Sequence, residues 1–301
     1  MPIFKKQLLP LLFASLPICL QAQVSTSSKP DLTRRYKTGE TIRYRMTTDV
    51  VHNGKWQSTI IAICELKTVT DDSHIPFDEV RWISKKVYSA KDTTDHQAEV
   101  NATTPYRISL HPDGRLDLPP IKEAGMTGEI TDFNTFFVAI SPKAGISTLH
   151  HPGDSFKKPE NVQGNFANGK DILKGTDCLE MTSTLKEENN RQAIIHTSFL
   201  PPASSCIQFL QPDMQSPVAG DTLNNFQMVR ASAGNKVNVF FGKEMFLINS
   251  TVHKKDGKLL SADMVNTLNL RLKLNCDDDY SGCQTTIPFT IRRVIRLELL
   301  P

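Results

Sequence analysis

The sequence lacks an excess of charge of either sign, an apolar run of membrane-spanning length and any complete catalytic motif. Its 35 Lys and Arg stand against 32 Asp and Glu. Two of the basic residues, Lys5 and Lys6, fall in an N-terminal segment expected to be removed, which leaves a margin of +1. That near-neutrality takes away the whole-protein electrostatic case for nucleic acid or an anionic membrane surface. The apolar run Leu8–Leu20 has 13 residues, whereas a spanning helix needs about 20. With Lys5 and Lys6 before it and Leu20-Gln21-Ala22 after it, the run reads as a secretory signal peptide over 1–22, with no transmembrane segment left after cleavage. Lipidation at Cys19 is disfavoured, because Ile18 stands where a lipoprotein signal wants a small residue. At 22% charged and 39% hydrophobic, the remainder fits a globular chain rather than a disordered one.

Export places the chain in a periplasmic or secreted, oxidising compartment, so its cysteines are read as disulfide candidates before thiol nucleophiles. Cys276 and Cys283 form the strongest pair, because they flank a short polar loop between two strand-like runs. Cys64, Cys178 and Cys206 then leave an odd number, so at least one of them is free or intermolecular. Cys64 and Cys178 both lie in strand-like runs, where a buried, inert thiol is expected of at least one.

Period-two alternation dominates the rest. Ile42, Tyr44, Met46 and Val50 share one phase against Arg43, Arg45, Thr47 and Asp49. Leu268, Leu270, Leu272 and Leu274 alternate with polar neighbours, and Ile287, Phe289, Ile291, Ile295, Leu297 and Leu299 continue the pattern. Such runs put one face on a core and the other in water, as antiparallel sheets do. Asn53-Gly54, Asp113-Gly114 and Asp256-Gly257 each sit between apolar runs and predict hairpin turns. The fold class is therefore mainly β: an antiparallel hairpin meander forming a curled sheet, sandwich or half-barrel. Phe133, Phe136, Phe137 and Ile140 instead follow helical spacing, which predicts one short packed helix over about 131–141 with Thr131 as N-cap. An outer-membrane barrel fits poorly, since the strands are irregular in length and the last one closes on Leu299-Leu300-Pro301 rather than an aromatic residue.

The expected organisation is a flexible leader over 23–35, a β-rich half over 36–200, a Pro-rich connection over 201–226 and an antiparallel β half over 227–301. The connection takes its character from Pro201, Pro202, Pro212 and Pro217. It marks either a domain boundary or a strap across one continuous sheet.

Several catalytic strings come close and fail on context. Gly164 to Lys170 matches most of a phosphate-binding loop, but Asp171 stands where a hydroxyl should meet magnesium and no strand pattern precedes the glycines. Ser155-Phe156-Lys157-Lys158 has a Ser-x-x-Lys spacing, with the accompanying motifs missing or out of order and Ser155 expected in a loop. Gly-x-Ser-x-Gly, His-Glu-x-x-His and Cys-x-x-Cys do not occur. His150 and His151, with Asp154, are the densest cluster of potential ligands. Adjacent side chains diverge in an extended loop, so a shared metal would need His196, His253 or another partner. Asp277 and Asp279 with Ser281 and Gly282 echo the start of a calcium loop, but its twelfth position is Pro288, leaving only a weak metal candidate. Asn101 and Asn249 open glycosylation sequons, which matter only in a eukaryote.

Arg293 falls in phase with Ile291 and Ile295, on the face that should be buried. Either a β-bulge around Arg292-Arg293 swings it outward, or it points inward at an acidic partner or an anionic ligand group. An aromatic stripe such as Phe133, Phe136 and Phe137 either packs its helix on the sheet or lines a ligand pocket.

The leader, the opening Tyr36-Lys37-Thr38-Gly39-Glu40-Thr41-Ile42-Arg43-Tyr44, the Thr131-Asp132-Phe133 helix start and the closing cysteine hairpin together resemble exported bacterial β-rich proteins of unknown function. That resemblance implies an envelope location and a β fold, and it brings no active site. The expected function is an exported, non-catalytic binding or accessory module for an apolar ligand or an envelope protein partner, with no cofactor. Phe133, Phe136, Phe137 and Arg293 are its candidate ligand-binding residues. The alternatives are a hydrolase assembled from distant His and carboxylate residues, and a calcium-stabilised adhesion or assembly domain.

Overall fold

A computed structural model of the chain describes residues 32–116, 118–165, 171–200, 208–209, 225–230, 236–277 and 282–301. The expected signal peptide, most of the leader and nearly all of the 201–226 connection lie outside these residues.

The alternating runs form strands β1 (Thr41–His52), β2 (Lys55–Thr70), β3 (Pro76–Ser89) and β4 (Thr93–Asp95). A six-residue helix α1 (Gln97–Ala102) and strand β5 (Tyr106–Ile108) lead to helix α2 (Thr127–Ala139). Strands β6 (Ser155–Asn165), β7 (Asp171–Glu188), β8 (Gln192–Leu200), β9 (Gln208–Phe209) and β10 (Asn225–Arg230) follow. The last three are β11 (Val237–His253), β12 (Leu259–Cys276) and β13 (Thr285–Leu300).

All pair antiparallel in one sheet of order β4-β3-β2-β1-β13-β12-β11-β8-β7-β6, with β5, β9 and β10 added beside β3, β7 and β11. The sheet is curled and does not close into a barrel. Both expected halves contribute to it, because β13 lies between β1 and β12, and β8 beside β11.

Two of the three expected hairpins form as read. Asn53 and Gly54 adopt φ of 46° and 76°, the positive pair a two-residue turn between right-twisted strands requires. Gly257, at φ 65°, turns β11 into β12 and lies so close to Thr33 that a Cβ would sit 2.3 Å from its carbonyl oxygen. The third does not join two sheet strands. Gly114 closes a turn onto the His111 carbonyl, but among the described residues no strand follows before α2. The approach of Thr33 to Gly257 also shows that residues 32–35, the described end of the expected leader, are docked against the β11–β12 turn. Leu32 is buried in the core, Arg34 pairs with Glu40 at 2.8 Å, and the Arg35 amide donates to the Asp256 carbonyl.

One face of the sheet wraps α2. Tyr44, Met46, Cys64, Leu66, Val80, Trp82, Leu185, Ile195, Ile248, Met264, Ile295 and Leu297, drawn from β1 to β13, share a single core with Ile130, Phe133, Phe136 and Phe137. Tyr44 meets Phe133 and Phe137 edge-on at 5.9 and 6.0 Å, and Trp82 meets Phe133 at 5.7 Å. Each full aromatic burial contributes on the order of 2–3 kcal/mol.

The helix begins a turn earlier than its aromatic spacing predicts. A 3-10 turn, Ala124–Met126, feeds Thr127, so Thr131 and Asp132 lie inside the helix and Thr131 is not its cap. The extra turn, Thr127-Gly128-Glu129-Ile130, has weak apolar periodicity. It is held by Ile130 in the core and by Glu129, which accepts a 2.8 Å bond from the buried Lys85 ammonium. Lys85 also donates to the Gly125 carbonyl, so one cation fixes both the 3-10 turn and the helix start.

Candidate functional site

Beyond the aromatic core, the first turn of α2 stands off the sheet and leaves a cleft of about 450 Å³. Strand register builds its floor. His52 faces Ile291, Ile291 faces Leu268, and Leu268 faces Glu244 across β1, β13, β12 and β11. The neighbouring row runs Val50, Arg293, Asn266. Val50, Ile291 and Leu268 make the apolar floor, while His52, Glu244 and Arg293 supply polar groups. Thr127, Gly128 and Thr131 form the helix wall, and a Cβ at Gly128 would meet nothing within 4 Å.

Arg293 is inward and paired. The β1–β13 and β12–β13 registers run through Arg292 and Arg293 without a slip, so the bulge that would have turned Arg293 outward is not formed. Its Nη1 donates to Asp132 Oδ2 at 2.8 Å, while Nε and Nη2 both donate to Asn266 Oδ1 at 3.1 and 3.0 Å. Asn266 Nδ2 in turn donates to Glu244 Oε1 at 2.7 Å. This gives a continuous line, Asp132–Arg293–Asn266–Glu244, from the helix across three strands.

Burial pushes the Asp132 carboxyl up to about 7; Arg293 opposes that shift, and Glu129 and Glu244 reinforce it. Burial also lowers the affinity of His52 for its proton, which keeps the imidazole neutral near pH 7. The arrangement therefore provides a guanidinium fixed by Asp132 and Asn266, a neutral imidazole and an apolar floor.

The other sequence candidates fall elsewhere. Phe133 and Phe136 have no exposed surface and Phe137 has 4%, so the stripe packs α2 onto the sheet, and the cleft beside it is lined by other residues. His150 and His151 share Asp154 only through their backbone amides, which donate to its Oδ2 at 2.8 and 2.9 Å and hold that carboxyl below its ordinary range. His196 is a strand neighbour of the fully buried Thr197, and its Nδ1 meets Asn249 Oδ1 at 2.9 Å at an exposed position. His253 pairs with Asp256 at 2.8 Å in the β11–β12 turn. These histidines and their carboxylates do not form a common site, and no group of three His, Cys, Asp or Glu able to hold a metal occurs among the described residues. Asp277 pairs with Lys236, and Asp279 lies outside the described residues.

Ser155 opens β6 rather than lying in a loop, and Gly164 lies within that same strand, with 166–170 outside the described residues. Cys276 and Cys283 are joined, and Cys64 is a free buried thiol whose pKa burial raises. The side chain of Cys178 and all of Cys206 lie outside the described residues. No helix among those residues is long and apolar enough to cross a membrane.

Asn266, Glu244, His52 and Lys85 escaped the sequence reading. The signal for the first two was the one that exposed Arg293, a polar residue in an apolar phase. Asn266 interrupts Met264 and Leu268, and Glu244 precedes Phe246 and Ile248.

No protein-family model matches the chain, and no curated protein does. Among solved structures it is similar to a lipovitellin chain described for its lipid–protein interactions, at 9% identity and a TM-score of 0.42. That alignment covers 89% of this chain and 26% of the other, so this chain spans about a quarter of lipovitellin's length. It is also similar to a chain of the Pseudomonas aeruginosa MucA/MucB complex, at 9% identity and a TM-score of 0.17, over 87% of this chain and 89% of that one. A structure of MucB with MucA(peri) aligns at 10% identity and a TM-score of 0.17, with the same coverage.

Proposed function

We propose that the chain is an exported, non-catalytic binding module that holds a ligand in the cleft at the first turn of α2. The observation that carries this reading is the pairing of an apolar floor, Val50, Ile291 and Leu268, with an immobilised Arg293 in one concave site. A volume of about 450 Å³ lies within the range of small-molecule sites. Export is supported by the leader and by the Cys276–Cys283 bridge, which belongs in an oxidising compartment.

The chemistry of the cleft favours an apolar group carrying a carbonyl-type acceptor. Arg293 uses three of its five N–H groups on Asp132 and Asn266, which leaves two for a ligand. Glu244 lines the same cleft, so a neutral acceptor fits better than a strong anion. The apolar floor then takes the rest of the molecule.

Native mass spectrometry of the exported protein, isolated without reductant and compared with its denatured mass, tests the reading. Gly128→Leu supplies the control, because its side chain would project into open space in the cleft from a helical position. Extra mass on the parent protein that disappears in Gly128→Leu is the expected result. Bound mass that is equal in both proteins, or absent from both, would overturn it.

A further inference from the structure

We infer that the protein carries a second binding site, for a small zwitterion of the α-amino-acid type, where β5 meets the turn between β2 and β3. The site is a hollow of about 420 Å³ lined by Asp71, Ile75, Phe77, Arg107, Asp113 and Arg115. It shares no lining residue with the α2 cleft and does not rest on the reading given for that cleft. Two guanidinium groups and two carboxylates line this hollow, yet among the described residues none of the four forms an ion pair with another. Opposite charges that share a small concave site without meeting are arranged for a ligand that brings both signs.

Each wall is held by its own hydrogen bonds. Asp71 Oδ1 accepts from the Ser73 and Ile75 amides at 3.0 and 2.8 Å, which fixes that carboxylate in its turn and leaves Oδ2 for a ligand. On the other wall Ser109 donates its amide to the Arg115 carbonyl at 2.8 Å and its hydroxyl to the Pro76 carbonyl at 2.6 Å. Gly114 packs so closely on Ser109 that a Cβ would lie 2.2 Å from its Oγ, so the loop bearing Asp113 and Arg115 is seated on the end of β5. Arg107 stacks over the Phe77 ring at 4.2 Å. Stacking holds a guanidinium by its face and leaves its in-plane N–H groups free at the edge. Asp113 Oδ2 lies 3.7 Å from His111 Nδ1, but that nitrogen accepts the Asp113 amide at 3.2 Å and so has no proton to share. Glu79 faces Arg107 in the β3–β5 register and forms no ion pair with it.

An α-amino acid answers each of these groups. Its carboxylate takes paired N–H bonds from a guanidinium, its ammonium donates to Asp71 or Asp113, and its side chain rests on Ile75. A simple anion would meet the two carboxylates and a simple cation the two guanidiniums, so the site discriminates against both. Equilibrium dialysis of the full mature chain against an equimolar mixture of the common amino acids, with both compartments analysed by chromatography, identifies the ligand. Retention of one amino acid, or of a chemically related group, is the expected result. Arg115→Gln and Asp113→Asn should each weaken it about tenfold or more, the worth of one charge-assisted hydrogen bond. Gly128→Leu, in the other cleft, should leave it unchanged.

Calorimetry with the retained amino acid, its N-acetyl derivative and its amide then removes the two ligand charges one at a time, and each derivative should bind about tenfold or more weakly. Retention of no amino acid, or undiminished binding of either derivative, would overturn the site. So would a ligand lost in Gly128→Leu and kept in Arg115→Gln, which would belong to the α2 cleft. Thermal melts of each variant show whether a loss of binding reflects a loss of fold.

Discussion

Replacing Asp132 with Asn separates the two forces acting on that carboxyl group. Burial places it at about 7, against 3.8 in an exposed chain, while the Arg293 guanidinium 2.8 Å away pulls in the opposite direction. Between those two values the folded protein holds a proton that the unfolded chain has released. The stability tied to this group is therefore greatest below about pH 3.8, falls as the pH rises toward 7, and stays low above that. A separation of about three units corresponds to roughly 4 kcal/mol. Asp132→Asn has nothing to titrate at this position, and its amide oxygen can still accept from Arg293. Its stability relative to the parent should therefore climb by roughly 4 kcal/mol between pH 4 and pH 8. Glu129, Glu244 and Arg293 are present in both proteins, so their own titrations largely cancel in the difference. Urea unfolding of both proteins at half-unit pH intervals measures it directly. A flat difference, or one that slopes the other way, would mean that Arg293 outweighs burial and that Asp132 is ionised throughout.

Lys85→Met should cost about 3–5 kcal/mol, because it strands the Glu129 carboxylate in the core, and Lys85→Met with Glu129→Leu should recover most of the loss in the same urea assay. Phe133→Ala should cost a similar 3–5 kcal/mol by opening a cavity among Tyr44, Trp82 and Phe137. Exchanging Cys276 and Cys283 for serine should lower stability by about 2.5 kcal/mol, the loop entropy of a span of this length, and reductant should then have no further effect on the melting of this hairpin. Gly128→Ala should raise the melting temperature, by up to about 1 kcal/mol in stability, since its methyl group meets open space on a helix.

The sheet was legible where side chains alternate cleanly. Tyr44 and Met46 on β1 and Leu297 and Leu299 on β13 announce their strands, and Asn53-Gly54 announces its turn, because φ sterics act over a few residues. The Asp113-Gly114 turn looked the same locally, yet whether a strand follows a turn depends on pairing with distant partners. The helix was found through Phe133, Phe136 and Phe137. Its first turn was missed because what stabilises it, Lys85, lies 44 residues from Glu129. The site was half visible for the same reason. Arg293 stood out against Ile291 and Ile295, but its partners Asp132 and Asn266 are 161 and 27 residues away, and only the folded register brings them together.

The position of β13 between β1 and β12 governs the order in which the sheet can be completed. Until its closing residues have been synthesised, β1 and β12 each keep an open edge and the core lacks Ile295 and Leu297. A sheet completed by its last strand forms late, because pairing distant segments is slow. Loss of β13 would therefore open two strand edges at once and leave the halves of the sheet on either side of it without a common partner.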